Sequence, residues 1–538
     1  MLLPTPALAV ARPSSAARTY LEARAAAIDG DHSRSAQLLA QLVDGSLANQ
    51  TVTKQALSQA ISAGDMKLAL RLVGTLKPAE TPIEARMLQV ADALRSNDSS
   101  RAVALLRTPS EAGDLGFVRP FVEAWAAADS NDLPGALAGL NGISSNNLLA
   151  ALAPEHRAFI LLKFRRTAEA RPLVDQILKT AAGRESRLRY ALADAYLKAG
   201  DRARAAEIIQ GLGTAASRPG ERVLQGKSSG IGIDNGRRAF AELLIVLAAD
   251  LNRLRNEQMP IALSQVARYA APESSASSVM LGLMLARRDR TSDAVEVLRS
   301  IPANDPLSLQ ARDAEVRALI TAEREAEALQ IAQRVASSSD AGVADYARLG
   351  DVLANMKRHE AAAAAYARAH QYVANGLPQE RWPLLLLQAS SLEEADRWPE
   401  ARQLLGQALV LAPDEPLLLN FLGYAKLERG EDLDTAEAMI RKASALAPDD
   451  ASITDSLGWA VYKRGRTREA IEILTRAAKG DPAQAEIHEH LGDALYKAGN
   501  KYEARYAWSA ALVTAEEDVA ARLKAKIETG LTPATAAP

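Results

Sequence analysis

Cysteine is absent from the 538 residues of this chain, and histidine occurs only six times. Disulfides, thiolate metal ligands, cysteine nucleophiles and a lipidated cysteine are therefore excluded for this chain. Aromatic residues are also scarce, at 4%, although hydrophobic residues make up 48%. The apolar content is mostly alanine and leucine, which are the best helix formers. This composition predicts a nearly all-helical protein.

Neither sign of charge dominates, because 64 Lys and Arg stand against 66 Asp and Glu, a formal net charge of −2. Nucleic-acid-binding proteins usually carry a basic excess, so this balance predicts no nucleic-acid partner. No apolar run approaches the roughly 18 residues that a membrane span needs, so we expect no integral membrane segment. Residues 2–11, LLPTPALAVA, resemble the end of a truncated secretory signal peptide, and the alternative is a disordered apolar terminus.

A repeat of 34 or 35 residues organises the C-terminal part of the chain. Leu-Gly-Trp-Ala at 457–460 recurs as Leu-Gly-Asp-Ala at 491–494, and Leu-Gly-Tyr-Ala precedes both at 422–425. The pattern of each unit predicts a helical hairpin that ends at a proline, because proline cannot continue a helix. These prolines keep the same phase and are Pro413, Pro448 and Pro482.

Small residues occupy the positions where the two helices of a hairpin must approach each other. Gly458 and Ala470 provide that close approach, and Gly465 is placed to end the first helix in the left-handed conformation. These residues resemble the tetratricopeptide repeat (TPR) family, whose 34-residue unit has this pattern of small and large residues. The resemblance implies an all-α fold, a right-handed α-solenoid of TPR and TPR-like helical hairpins, in which each repeat contacts only its neighbours.

Weaker copies of the pattern extend towards the N-terminus and are interrupted by two stretches rich in glycine, serine or proline. The sequence therefore predicts a signal-like or disordered N-terminus (1–13), TPR-like helical repeats (14–210), a Gly/Ser-rich loop (211–236), middle TPR repeats (237–370), an irregular link (371–383), C-terminal TPR repeats (384–515), a capping helix (516–530) and a disordered tail (531–538).

Motifs that would carry chemistry are near misses. Gly220 and Gly226 have five residues between them, whereas a phosphate-binding loop of the Walker A type needs four. His488 and His490 are two residues apart on a predicted helix, so their side chains diverge and lack a third ligand. We therefore predict no enzymatic activity, no cofactor and no metal.

The candidate binding site is the inner, concave face of the first helix of each C-terminal repeat. The residues that face this groove by helical phase are Asn420, Tyr424, Leu427, Asp455, Trp459, Tyr462, Glu489, Asp493 and Tyr496. They combine an aromatic strip with carboxylates, which predicts capture of a peptide, since Trp and Tyr are enriched among binding hot spots. The carboxylates favour a basic partner. The alternative is that these side chains only pack one repeat on the next.

The C-terminal repeats look like those of proteobacterial envelope TPR proteins, one branch of which recruits a C-terminal processing protease and its cell-wall hydrolase substrates. The resemblance implies a non-catalytic adaptor with protein or peptide partners, in the periplasm or associated with the envelope. Branch members are usually lipoproteins, and this chain departs from them because it has no cysteine. The alternatives are a TPR scaffold of a polysaccharide synthesis or export complex, and a cytoplasmic assembly scaffold.

Overall fold

The computed structural model describes residues 15–45, 49–109, 113–181, 184–212, 218–227, 231–253, 259–338 and 341–537. These residues form 30 α-helices and two single-turn 3₁₀ helices and contain no strand, which confirms the all-α prediction. None of the helices in the described ranges is long and apolar enough to cross a membrane. The expectations for residues 1–13 and for Pro538 lie outside the described residues.

The chain divides into two compact units, Met1–Ile331 and Ala332–Pro538. The helices of the first unit are α1 (Ser15–Ile28), α2 (His32–Asp44), α3 (Gln50–Ala63), α4 (Met66–Val73), α5 (Ile83–Arg95), α6 (Ser99–Arg107), α7 (Arg119–Asp129), α8 (Leu133–Asn141), α9 (Ala153–Lys163), α10 (Thr167–Thr180), α11 (Glu185–Ala199), α12 (Arg202–Gln210), α13 (Arg218–Leu224), α14 (Gly236–Arg253), α15 (Met259–Ala270), α16 (Ser275–Ala286), α17 (Thr291–Arg299) and α18 (Ser308–Thr321).

The boundary between the units falls within α19 (Glu325–Ala336). The helices of the second unit are α20 (Val343–Asn355), α21 (His359–Tyr372), α22 (Pro378–Glu394), α23 (Trp398–Leu411), α24 (Pro416–Glu428), α25 (Leu433–Leu446), α26 (Ala451–Lys463), α27 (Thr467–Gly480), α28 (Ala485–Lys497), α29 (Lys501–Thr514) and α30 (Glu517–Thr529).

Helices of the second unit pack as successive antiparallel pairs, from α20 with α21 to α28 with α29. In four of these pairs, those of α20, α24, α26 and α28, a glycine faces the partner helix and permits close approach. A Cβ on Gly458, for example, would lie 2.6 Å from Cγ of Leu474, closer than van der Waals contact allows. Gly465 adopts the left-handed conformation just after α26, with φ +81°, and its N–H bonds to the carbonyl of Tyr462. Both features follow the sequence pattern.

Helices α14 and α15 of the first unit depart from the expected nearest-neighbour packing. They pack back against α3, α5 and α7, which precede them by more than a hundred residues. Tyr269 on α15 donates its hydroxyl hydrogen bond to Asp92 on α5 at 2.9 Å, and the N–H of Gly236 bonds to Asp129 on α7 at 2.8 Å. The expectation that each repeat contacts only its neighbours is therefore wrong for this unit.

The structure also changes three of the expected segment boundaries. The proposed loop 211–236 contains α13, and the proposed link 371–383 contains the start of α22. That helix begins early because the carboxylate of Glu380 accepts a hydrogen bond from the N–H of Leu377 at 2.9 Å, which caps it. Residues 531–537, which we expected to be disordered, instead form a hydrogen-bonded turn.

Candidate functional site

The nine predicted groove residues lie on the first helices of three successive hairpins, α24, α26 and α28. On each helix they recur at spacings of four and three residues, so they share one face, which we call the inner face. Asn420, Tyr424 and Leu427 belong to α24, Asp455, Trp459 and Tyr462 to α26, and Glu489, Asp493 and Tyr496 to α28.

Trp459 is the centre of an aromatic stack on this face. Its ring stacks on His490 at 4.0 Å between centroids and on Tyr462 at 4.8 Å, with interplanar angles of 11° and 15°. Only 1% of Trp459 is exposed. The indole therefore joins α26 to α28 and leaves no free ring face for a partner, which is the packing alternative considered from the sequence.

Asp455 and His490 form a buried pair beside this stack, with Oδ2 of Asp455 2.9 Å from Nδ1 of His490. Burial by itself lowers the pKa of His490, but the carboxylates of Asp455, Glu486 and Asp493 outweigh it and raise the pKa overall. Asp455, Glu486 and His490 are also the group that could hold a metal, because their ligand atoms lie within 4.8 Å of one another. A proton on the imidazole balances the same negative charge.

The sequence prediction missed this cluster because it compared His490 only with His488. The residues that meet His490 come from the preceding repeat and from the preceding helical turn. One part of the cluster could have been recognised in the sequence. Glu486 lies four residues before His490, and this spacing places both side chains on the same helix face. The contribution of Asp455 depends on how α26 packs against α28.

Glu489 and Asp493, expected to be free carboxylates at the mouth of the groove, are fully engaged within the chain. Arg522 of α30 binds Glu489 through two hydrogen bonds of 2.8 Å, and the ammonium of Lys526 lies 2.6 Å from Glu489 and 2.7 Å from Asp493. Burial raises the pKa of Glu489, but these two cations lower it overall. The expectation that these carboxylates await a basic partner is therefore wrong.

Residues 531–537, which we call the tail segment, lie on the inner face as well. The backbone N–H of Ala537 donates a hydrogen bond of 2.9 Å to Oδ2 of Asp493, and Ala537 is 6% exposed. Its methyl group belongs to the same apolar cluster as Leu427 and Trp459. A short stretch of non-helical polypeptide from this chain therefore occupies part of the predicted groove.

Four predicted residues keep accessible surface on the inner face: Asn420, Tyr424, Tyr462 and Tyr496 are each half-buried. Lysines lie over two of these rings, with Nζ of Lys497 5.0 Å from the centroid of Tyr462 and Nζ of Lys501 5.5 Å from that of Tyr496. The accessible part of the face is thus aromatic with lysines at its edge. The three predicted carboxylates lie beneath it, whereas the carboxylate of Glu486, beside His490, is exposed.

The first unit contains a cavity of about 700 Å³ that the sequence pattern did not indicate. Leu149, Ile245 and Met280 contribute apolar walls, and Arg184 and Arg187 stand at its edge. Both arginines are paired inside the unit, Arg184 with Glu155 and Arg187 with Glu242. The cavity walls come from helices brought together by the return of α14, which explains why no local motif marks them.

Comparison with known families matches the C-terminal repeats. The family model described as a tetratricopeptide repeat matches residues 386–451 and 456–519. These two segments contain α23 to α29. Eight of the nine predicted groove residues lie within the two segments that match this model, and Asp455 lies between them.

Similarity to individual proteins is distant. No curated protein matches the chain. Among solved structures, a chain of the APC/C hetero-tetramer Cut9–Hcn1 is 15% identical with a TM-score of 0.39, and the match covers 96% of this chain and 97% of that one. Yeast Tom70 is 11% identical, with a TM-score of 0.35 and coverage of 96% and 95%. MamA AMB-1 is 20% identical, with a TM-score of 0.25 and coverage of 33% and 96%.

Proposed function

We propose that this chain is a non-catalytic scaffold that binds protein segments on the inner face of its C-terminal repeats. The observation that carries the proposal is the tail segment, which is non-helical polypeptide held there by a backbone hydrogen bond to Asp493 and by burial of Ala537. A face that accommodates such a segment has an acceptor for a backbone N–H and space for a small side chain of another non-helical peptide. The half-buried tyrosines add contact area at low cost in conformational entropy.

The finer part of the proposal places the scaffold in the bacterial periplasm or at the envelope. There it would recruit a C-terminal processing protease and bring it to cell-wall hydrolases. Two features of the sequence support this: the signal-like residues 2–11 and the resemblance of residues 422–477 to envelope TPR adaptors. The competing candidates are a scaffold for polysaccharide synthesis or export and a cytoplasmic assembly scaffold.

Substitution of inner-face tyrosines tests whether partners bind there. The Tyr424→Ala, Tyr462→Ala double variant should lose at least tenfold of its affinity for a captured partner, because both rings supply accessible contact area. Tyr502 and Tyr506 on α29 are 70% and 63% exposed and provide the matched control. The Tyr502→Ala, Tyr506→Ala variant should bind as the unmodified chain does. Equal binding by both double variants would place the site elsewhere.

Affinity capture from an envelope extract separates the finer candidates. Quantitative mass spectrometry of the captured proteins should show a protease and hydrolases that disappear with the inner-face double variant and remain with the α29 control. Capture of polysaccharide synthesis or export proteins with the same dependence would favour the second candidate. Partners that depend on neither double variant would contradict the proposal as a whole.

A further inference from the structure

We propose that the tail segment is a built-in occupant of the inner face, which a partner must displace, and that the partner offers a short non-helical segment of small residues. The inference rests on the proposed function, because it names the chemistry of the partner for the same face.

Gly530 directs the tail segment onto the inner face. Its backbone has φ +90° and ψ 179°, a conformation that is open essentially to glycine alone. A side chain at this position would also collide with Tyr496, whose hydroxyl lies against the glycine. The chain can therefore turn from the end of α30 across α28 because residue 530 has no Cβ.

Ala537 anchors the other end of the tail segment. Its N–H bonds to Asp493, and its side chain is buried in a space that accepts a methyl group. Between these points the N–H groups of Thr535 and Ala536 bond to the carbonyl of Thr532, which folds residues 532–536 into a turn. The recognition elements are thus one backbone donor and one small side chain, neither of which requires a charge.

Residues 532–537 can leave the inner face without disturbing α30. Thr532, Pro533, Ala534 and Ala536 are exposed, so the burial of this part of the segment rests on Ala537, whereas the half-buried Leu531 packs with Trp508 and Leu523 and stays with α30. Helix α30 is held separately, by Leu523 packed with Trp508 and by the bonds of Arg522 and Lys526 to α28. Because Lys526 stays on Asp493, departure of the tail frees one lone pair and a small apolar site while the carboxylate remains neutralised. This favours a neutral partner segment over a basic one.

Replacement of either of two alanines in the tail segment by aspartate tests the inference. Ala537→Asp places a second carboxylate against Asp493 in a buried site and should expel the tail, whereas Ala534→Asp alters an exposed residue of the same segment. The probe is a fluorescently labelled synthetic peptide with the sequence of residues 529–537, and fluorescence anisotropy is measured in titrations with full-length protein up to about 1 mM. A tether supplies an effective concentration in the millimolar range, so weak binding in trans is expected.

The expected result is that the Ala537→Asp chain binds the peptide at least tenfold more tightly than the unmodified chain and the Ala534→Asp chain. A chain ending at Leu531, which keeps the contact of Leu531 with the cluster of Trp508 and Leu523, should bind as the Ala537→Asp chain does, and a peptide carrying Ala537→Asp should not bind it. Equal affinity of all chains, or no binding by either released chain, would overturn the inference. Binding of the basic peptide of residues 519–527, which carries three cations and no carboxylate side chain, in place of the tail peptide would overturn the stated partner chemistry.

Failure of this inference is distinguishable from failure of the proposed function. If the tail peptide does not bind but the Tyr424→Ala, Tyr462→Ala variant still loses its captured partner, the scaffold function stands and the tail segment has only a structural role. If the tail peptide binds the released chain but both tyrosine double variants retain their partner, the face is a site for the tail only. The second result contradicts the proposed function.

Discussion

The backbone N–H of Ala537 donates a hydrogen bond of 2.9 Å to the carboxylate of Asp493, 44 residues earlier in the chain. The same carboxylate accepts hydrogen bonds from the indole N–H of Trp508 at 2.9 Å and from the ammonium of Lys526. One buried aspartate thus joins α28 to the second helix of its own hairpin, to the capping helix and to the tail segment. Substitutions of the residues around Asp493 can therefore distinguish residues that stabilise the fold from residues that bind a partner.

Lys526→Met should destabilise the end of the second unit. Lys526 is fully buried between Glu489 and Asp493, so its removal leaves two buried carboxylates with only Arg522 to pair them. Breaking a buried ion pair typically costs about 3–5 kcal/mol, and the remaining arginine places our expectation near ~3 kcal/mol. Chemical denaturation measures this, and hydrogen exchange should locate it in α28 to α30. Lys524→Met on the exposed side of α30 is the control and should change stability by less than ~0.5 kcal/mol. Equal stability of the two variants would contradict the ion-pair account.

Gly458→Leu should overpack the contact between α26 and α27. The added side chain has no space beside Leu474, and overpacking of this kind costs about 1–3 kcal/mol. Hydrogen exchange should rise mainly between residues 450 and 515. Gly406→Leu on α23 is the matched control, because nothing lies within 4 Å of its Cβ position and leucine is the better helix former. A uniform loss of protection throughout the second unit would show that its hairpins unfold together.

Stability of the first unit should fall as the pH decreases from about 6.5 to about 4. Burial lowers the pKa of His156 to about 4, and Nδ1 of the neutral ring accepts a hydrogen bond of 2.9 Å from the indole N–H of Trp125. The unfolded chain, with a histidine pKa near ~6.5, binds the proton first, so unfolding takes up a proton over this range and is favoured by acid. The expected contribution is ~3 kcal/mol across the range.

His156→Asn should flatten this pH dependence, because the amide oxygen can accept from Trp125 without titrating. Urea denaturation at pH 7 and pH 4.5, followed by pulsed hydrogen exchange of α7 and α9, compares the two proteins, since fluorescence would combine the signals of five tryptophans. The informative quantity is the difference between their pH slopes, since Glu242 and other carboxylates titrate in both. Identical slopes would show that His156 does not control acid sensitivity.

The contribution of His490 to the stability of the second unit should have the opposite pH dependence and decrease as the pH rises. The pKa of His490 is raised in the folded chain, so its protonated form stabilises the fold. This contribution is fully present below the unfolded pKa of about 6.5 and is lost as the pH rises through the folded value. His490→Gln should remove the loss on the alkaline side, as measured by thermal unfolding between pH 5 and pH 9. A stability gain with rising pH in the unmodified unit, absent from the variant, would contradict the assignment.

The parts of the fold that the sequence predicts are those that depend on contacts within one hairpin. Gly458, Ala470 and Gly465 act between neighbouring helices or within one turn, so their roles follow from a local pattern. The return of α14 and α15 onto α5 and α7 depends on contacts such as Tyr269 with Asp92, which are 177 residues apart. No periodic signal links such positions, and the repeat pattern alone points to the wrong neighbours.

The candidate site divides in the same way. Helical phase places all nine residues on one face, because phase is a property of each helix alone. Helical phase does not indicate whether that face is accessible to a partner, because accessibility depends on how α30 and the tail segment pack against it. Nothing in the charged amphipathic sequence around Lys526 distinguishes it from an exposed lysine. The tail sequence LTPATAA has a composition that is typical of a disordered segment. Occupancy of the groove follows only from the long-range contacts of Asp493 and Glu489.

The central claim, that the inner face holds the tail segment and yields it to a similar segment, is tested most directly by thiol accessibility in this cysteine-free chain. Single variants Ala537→Cys and Ala534→Cys are reacted with a maleimide, alone and with excess peptide of residues 529–537. We predict that the cysteine at 537 reacts at least tenfold more slowly than the one at 534, and that the peptide raises its rate towards the faster value. Equal rates in the free protein, or no effect of the peptide on the slower rate, would contradict the account.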